Sequence, residues 1–191
     1  MTALPSWTDL PMEGLTAADY DALSEEVCRR IEVVDGGIVM TPAPRRPHQI
    51  IARRLANAIE DAAGPRWAVA TDVDLRLRDV PLLNRRPDIA VHDAALDDDE
   101  VLRPEHTVLV VEVMSPGSIT TGQTDKPAEY ARAGIEHFWR LENPTDDAAD
   151  LALFRYRLDS ATGIYTLLEV HKDEVAVRVP MELRVDLATL R

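Results

Sequence analysis

The sequence predicts an α/β domain: a central mixed β-sheet flanked by helices, with an antiparallel extension at the C-terminal end. Three observations predict it. Asp88-Ile89-Ala90-Val91 and Thr107-Val108-Leu109-Val110-Val111-Glu112-Val113 are short apolar runs of the kind found in strands covered on both faces. Ile51, Leu55, Ala58, Ile59 and Ala62 recur at helical spacing and form one apolar stripe. After residue 150, the segments 151–157, 164–171 and 175–179 read as strands of an antiparallel meander. The chain has 191 residues and is 46% hydrophobic, enough for one domain with its own core.

Residues 1–15 carry Pro5, Pro11 and Gly14 and read as an irregular arm; 16–191 reads as a single domain. Thr16 can cap a helix running to about Arg29. Ile31-Glu32-Val33-Val34 and Ile38-Val39-Met40 flank Asp35-Gly36-Gly37, and the Asp-Gly pair supplies the positive φ angles of a tight hairpin turn. The second helix spans about 47–63 and stops at Gly64-Pro65. Residues 73–78 alternate and predict a half-exposed strand, with Asp72, Asp74, Arg76 and Arg78 on a solvated face. Ser115-Pro116-Gly117-Ser118 reads as a turn. Pro127 belongs in a helix's first turn, so Lys126 stands at the entry of a third helix, with Thr124 or Asp125 as cap and Gly134 at its end. Residues 136–141 follow as a strand.

The formal net charge is −13, which excludes bulk attraction to nucleic acid or an anionic membrane but leaves room for a local basic groove. Asp97-Asp98-Asp99-Glu100 and Asp146-Asp147 with Asp150 read as solvated loops. The arginine pairs at 45–46, 53–54 and 85–86 either line a groove near Asp88 or neutralise acidic neighbours. The single cysteine, Cys28, permits no internal disulfide and favours a reducing compartment. No signal-peptide pattern opens the chain and no stretch has the length of a membrane span, so a cytoplasmic protein without membrane partners is expected.

Glu112 carries the chemical signal. An ionised carboxylate on a strand buried on both faces is costly unless it is paired or holds a metal. Asp88 places a second carboxylate at the head of another core strand, and Lys126 follows on the next helix. Two carboxylates and water suit Mg²⁺ or Mn²⁺, which activates water and offsets phosphate charge. A lysine beside them can orient the water or stabilise that charge. The plainer readings are a structural ion pair for Glu112, a turn cap for Asp88 and a solvated lysine for Lys126. His92, His106, His137 and His171 have no metal-ligand spacing, and Trp139 beside Phe138 reads as core.

Pro87-Asp88, Glu112-Val113-Met114-Ser115-Pro116, Lys126-Pro127-Ala128-Glu129-Tyr130, Gly134-Ile135 and Phe138-Trp139 follow one another in that order. With the segment 30–40 and His48, this arrangement resembles the bacterial "putative restriction endonuclease" family, formerly a domain of unknown function. That family is a branch of the PD-(D/E)XK nucleases. The resemblance covers about residues 16–190. It implies the restriction-endonuclease-like fold and a Mg²⁺-dependent (or Mn²⁺-dependent) endonuclease acting on DNA. It implies Asp88 and Glu112 as metal ligands and catalytic acids, Lys126 as catalytic lysine and Glu32 as accessory acid. His48, beside Arg45 and Arg46, reads as a phosphate contact or a capping histidine. A homodimer would supply two sites for two strands.

The chain departs from the pattern twice. The name motif places lysine two residues after the acid, where this chain has Met114. Many members carry an aspartate four residues before the helix lysine, where this chain has Gly122, with Asp125 adjacent to the lysine instead. Two alternatives follow: a decayed nuclease fold kept as a binding module, and a hydrolase of smaller phosphodiesters or nucleotides.

Overall fold

The computed structural model describes residues 14–41, 44–114, 125–142 and 151–191. Most of the N-terminal arm, the turn at 115–118, Gly122, the Thr124 cap and the acidic run around 146–150 lie outside the described residues. Two sheets organise the domain. The smaller has the strand order β2-β1-β5-β4, from β1 (Ile31–Val34), β2 (Gly37–Met40), β4 (Leu75–Arg78) and β5 (Leu83–Arg85). The larger has the order β10-β9-β8-β7-β6-β3. Its strands are β3 (Trp67–Thr71), β6 (Ile89–Asp93), β7 (Thr107–Met114), β8 (His137–Glu142), β9 (Ala152–Asp159) and β10 (Ile164–His171). Among the described strands only β7 and β8 pair in parallel, which makes the sheet mixed. The helix α4 (Lys126–Arg132) lies on the crossover between them.

The strand period of two sorts the large sheet's side chains into two cores. One face carries Ile89, Val91, Leu109, Val111 and Trp139 and is covered by α3 (Arg46–Ala63) through Ile51, Leu55 and Ile59. The other carries Ala90, Val110 and Phe138 and packs on Tyr130 of α4, Ile135 and Leu75. The predicted hairpin is present: Asp35 and Gly36 take φ of 51° and 80° between β1 and β2. Gly36 also meets Gly14 so closely that a Cβ there would lie 3.3 Å from the Gly14 Cα. Leu15, at the end of the arm, is buried and its N–H donates to the Gly36 carbonyl.

Three expectations are corrected. The single helix expected after Thr16 is two short ones, α1 (Ala17–Asp21) and α2 (Glu25–Cys28). Thr16 caps the first as predicted, but Ser24 adopts extended backbone and starts the second. The break turns Tyr20 into the cluster of Ile31, Val33 and Leu82. The face of 72–78 is solvated only at its ends: Asp72 and Arg78 are exposed, but Arg76 is buried against Asp21, and Asp74 accepts from the Tyr20 hydroxyl at 2.8 Å. The C-terminal meander also splits. β9 and β10 extend the large sheet as a hairpin, whereas β11 (Glu174–Val177) leaves to pair with β12 (Leu183–Asp186). Val175, Val177 and Leu183 thereby join the core beside α3.

Candidate active site

Strand register assembles the site. β3 pairs with β6 as Thr71↔Ile89, and β6 with β7 as Ile89↔Val111. One more residue along each ladder brings Asp72 beside Asp88 and Asp88 beside Glu112. Two contacts fix that step: the Asp72 N–H donates to the Asp88 carbonyl at 3.4 Å, and the Val113 N–H donates to Asp88 Oδ2 at 2.6 Å. Across the parallel pair, Glu112 stands opposite Arg140. The carboxylates therefore lie side by side at the end of the sheet: Glu112 on the face covered by α4, and Asp88 within reach of His48 on α3.

Lys126, in the first turn of α4, reaches into this row from above. Its Nζ donates to Glu112 Oε1 at 3.1 Å and lies 2.9 Å from Glu32 Oε1. Glu112, Lys126 and Glu32 are 7%, 6% and 5% exposed, so these are buried charges that must be satisfied. The Tyr130 hydroxyl, one turn along α4, donates to the same Glu112 oxygen at 2.7 Å. Glu32 comes from the small sheet. It accepts from the Arg86 N–H at 3.0 Å and from Arg85 Nη1 at 3.0 Å. Arg85 in turn forks onto both oxygens of Glu129, at 2.6 and 2.8 Å. Glu32, on the first strand of the early hairpin, is thus a buried partner of the lysine.

The charges settle accordingly. Burial pushes the Glu112 carboxyl up to about 7; Lys126 opposes the rise and the Asp88 charge adds to it. Burial works against the Lys126 ammonium, yet Glu112 and Glu32 more than compensate and hold its pKa above the ordinary lysine value. Burial likewise raises Glu32, but Lys126 wins and its pKa lies below the usual carboxylate range. His48 Nε2 lies 3.2 Å from Asp88 Oδ2. Burial disfavours the imidazolium, and the Asp88 carboxylate reverses that, leaving the His48 pKa raised.

His48, Asp88 and Asp72 line a cleft of about 350 Å³ together with Arg46 and Arg53. Two members of the arginine pairs therefore do border the groove. Arg85 and Arg86 do not: Arg85 neutralises buried acids, and Arg86 Nε lies 3.3 Å from Oδ1 of the half-buried Asp74. Asp72 is the acid that the sequence assigns elsewhere. Burial and then the neighbouring Asp88 charge raise its pKa, which places it electrically with the site. Its position follows from the β3–β6 register, and β3 itself, an alanine-containing stretch without alternation, carries little sequence signal.

The donor set suits a hard divalent cation. Asp88 and Glu112 each present one oxygen already held by protein donors and a second with no hydrogen bond to a described residue. Among the described residues no three acidic, histidine or cysteine groups close into a complete cage. Mg²⁺ commonly takes only one or two carboxylates, with water and substrate phosphate filling the remaining positions.

The profile of the Uma2 family, described as "putative restriction endonuclease", matches residues 17–190. A crystal structure described as "a putative nuclease belonging to DUF820", from Anabaena variabilis ATCC 29413, superimposes with a TM-score of 0.66. It covers 92% of this chain and 97% of its own, at 18% identity, so the likeness is one of fold. No curated protein matches the chain. With the family profile running through every strand and helix that builds the carboxylate row, the chain belongs to the Uma2 family, the family described as putative restriction endonucleases.

Proposed function

We propose that this protein is a Mg²⁺-dependent endonuclease that hydrolyses phosphodiester bonds in DNA, with Asp88, Glu112, Lys126 and Glu32 as its working residues. The observation that carries the proposal is the adjacency of Asp88 and Glu112 in strand register, with the Lys126 ammonium 3.1 Å from Glu112. A nuclease family and a nuclease fold support it. Mg²⁺ or Mn²⁺ at Asp88 and Glu112 would supply Lewis acidity and a more acidic water.

The chain's own groups do the rest. Lys126 keeps its proton, so it acts as a fixed positive charge for a phosphoryl oxygen and not as a base. Glu32 holds that ammonium in place. Tyr130 and Lys126 together occupy one Glu112 oxygen and orient the other. His48 steadies Asp88 and, when protonated, adds positive charge at the cleft for a phosphate. Lys126 also answers the departure at Met114: the lysine absent from the strand is supplied by α4, which favours a working site over a decayed one.

The test needs no knowledge of the target sequence. Mn²⁺ titrated calorimetrically into the wild type is expected to show saturable binding that Asp88→Ala abolishes while its far-UV spectrum and melting stay native-like. Cleavage of supercoiled plasmid should disappear in the same variant. Cleavage retained by Asp88→Ala would sink the assignment.

A further inference from the structure

The row that holds the carboxylates does not end at Glu112. Arg140 on β8 pairs with Phe154 on β9, and Phe154 with Val170 on the edge strand β10. One row therefore runs Glu112, Arg140, Phe154, Val170 on the face opposite α3, and Asp88 stands beside Glu112 at its end. The next row places Tyr156 opposite Leu167 on that face. The Arg140 guanidinium lies 5.0 Å from the Phe154 ring centroid and 5.6 Å from that of Tyr156. Its Nε is 2.7 Å from Glu142 Oε1 but makes no aligned hydrogen bond, and its other nitrogens bond to no described residue. Leu167 and Val170 are 47% and 40% exposed on an edge strand, where exposed apolar groups are a liability unless something uses them.

We propose that Arg140, Phe154 and Tyr156, bordered by Leu167 and Val170, form a platform for an unpaired DNA strand leading into the carboxylates. The proposal rests on phosphodiester chemistry at the carboxylate end of the row. A guanidinium offers planar recognition of phosphate, and aromatic faces offer stacking to bases of any sequence. Adjacent strands lie about 4.8 Å apart, so Glu112 to β10 spans roughly 15 Å. That span accommodates a short run of unpaired nucleotides rather than a single one. Charge decides between paired and unpaired DNA. A protein of net charge −13 gains little from the dense phosphates of a duplex, whose bases are already stacked. An unpaired strand brings free base faces, and stacking does not depend on net charge.

The experiment is fluorescence anisotropy in EDTA with a labelled dT20 strand and a 20-base-pair duplex, on wild type, Arg140→Gln and Phe154→Leu. Phe154→Leu keeps apolar bulk and removes the ring. Wild type is expected to bind dT20 at least about tenfold more tightly than duplex. Phe154→Leu should weaken dT20 binding by about fivefold or more, the scale of one lost stack. Arg140→Gln should weaken it and reduce the salt slope by about 0.7, one phosphate contact on a single strand. Mn²⁺ titrations of both variants should match wild type. Equal or tighter binding of duplex, tighter binding of rU20 than dT20, or wild-type dT20 affinity and salt slope in both variants would overturn the proposal. If wild type binds no Mn²⁺ but the dT20 results hold, the platform stands and the catalytic reading falls.

Discussion

Glu112 is where stability and chemistry pull in opposite directions. Its carboxyl is pushed up to about 7 by burial, so the folded state prefers it protonated. A carboxyl with a raised folded pKa contributes stability below its unfolded value of about 4.5, and the contribution is lost as pH rises through about 7. Ligand-free wild type should therefore lose stability against Glu112→Gln between pH 5 and 8. Melting followed by circular dichroism should show the gap widening by several degrees, at ~2–4 °C per kcal/mol for this length. A gap that stays constant with pH would contradict the raised pKa. Metal binding runs the other way. Each Mn²⁺ bound must displace the Glu112 proton below about pH 7, so calorimetric affinity should fall about tenfold per pH unit there and level off above. Tyr130→Phe removes one donor from this buried carboxylate. Above about pH 7, where Glu112 is ionised, it should cost roughly 1.5–3 kcal/mol in urea unfolding, the range for hydrogen bonds to charged groups.

At the scale of the element, the positioning device is register. The two core strands, the α3 stripe and the β1–β2 turn are all legible in the sequence, because period and turn chemistry are local properties. Asp88 beside Glu112 is not local; it depends on which residue of β6 faces which residue of β7, and a slip of one residue would send Glu112 to the α3 face. The same holds for Asp72, whose own neighbourhood suggests a solvated strand. Glu32 and Lys126 meet because α4 crosses between two parallel strands, which no spacing in the chain announces. The turn at Asp35-Gly36 has a direct role here, since it closes the hairpin that carries Glu32. Gly36→Val meets both a φ of 80° and the Gly14 backbone. It should destabilise the protein by about 1–2 kcal/mol or more and speed amide exchange in β1 and β2. Unchanged protection of those amides would show that the hairpin does not depend on the turn.

For the whole molecule, the two sheets meet through charge rather than through apolar area alone. Arg85 leaves the small sheet to hold Glu32 and Glu129, and Lys126 leaves α4 to hold Glu32 and Glu112. Composition conceals this: a net charge of −13 argues against nucleic acid, while several arginines are spent inside the protein. The nuclease class was legible from the order of short motifs, and the network that holds it together was not, because Arg85 and Glu129 look like ordinary surface charges in sequence. Arg85→Met strands the buried Glu129 carboxylate, takes one partner from Glu32, and should cost about 3–5 kcal/mol in urea unfolding. Lys126 clipping one sheet's acid to the other's has a further consequence for the site. Until both sheets have docked, the lysine has no fixed place, and a polypeptide fresh from the ribosome or partly unfolded by stress holds no assembled site. The assembled site is thereby a property of the finished protein alone.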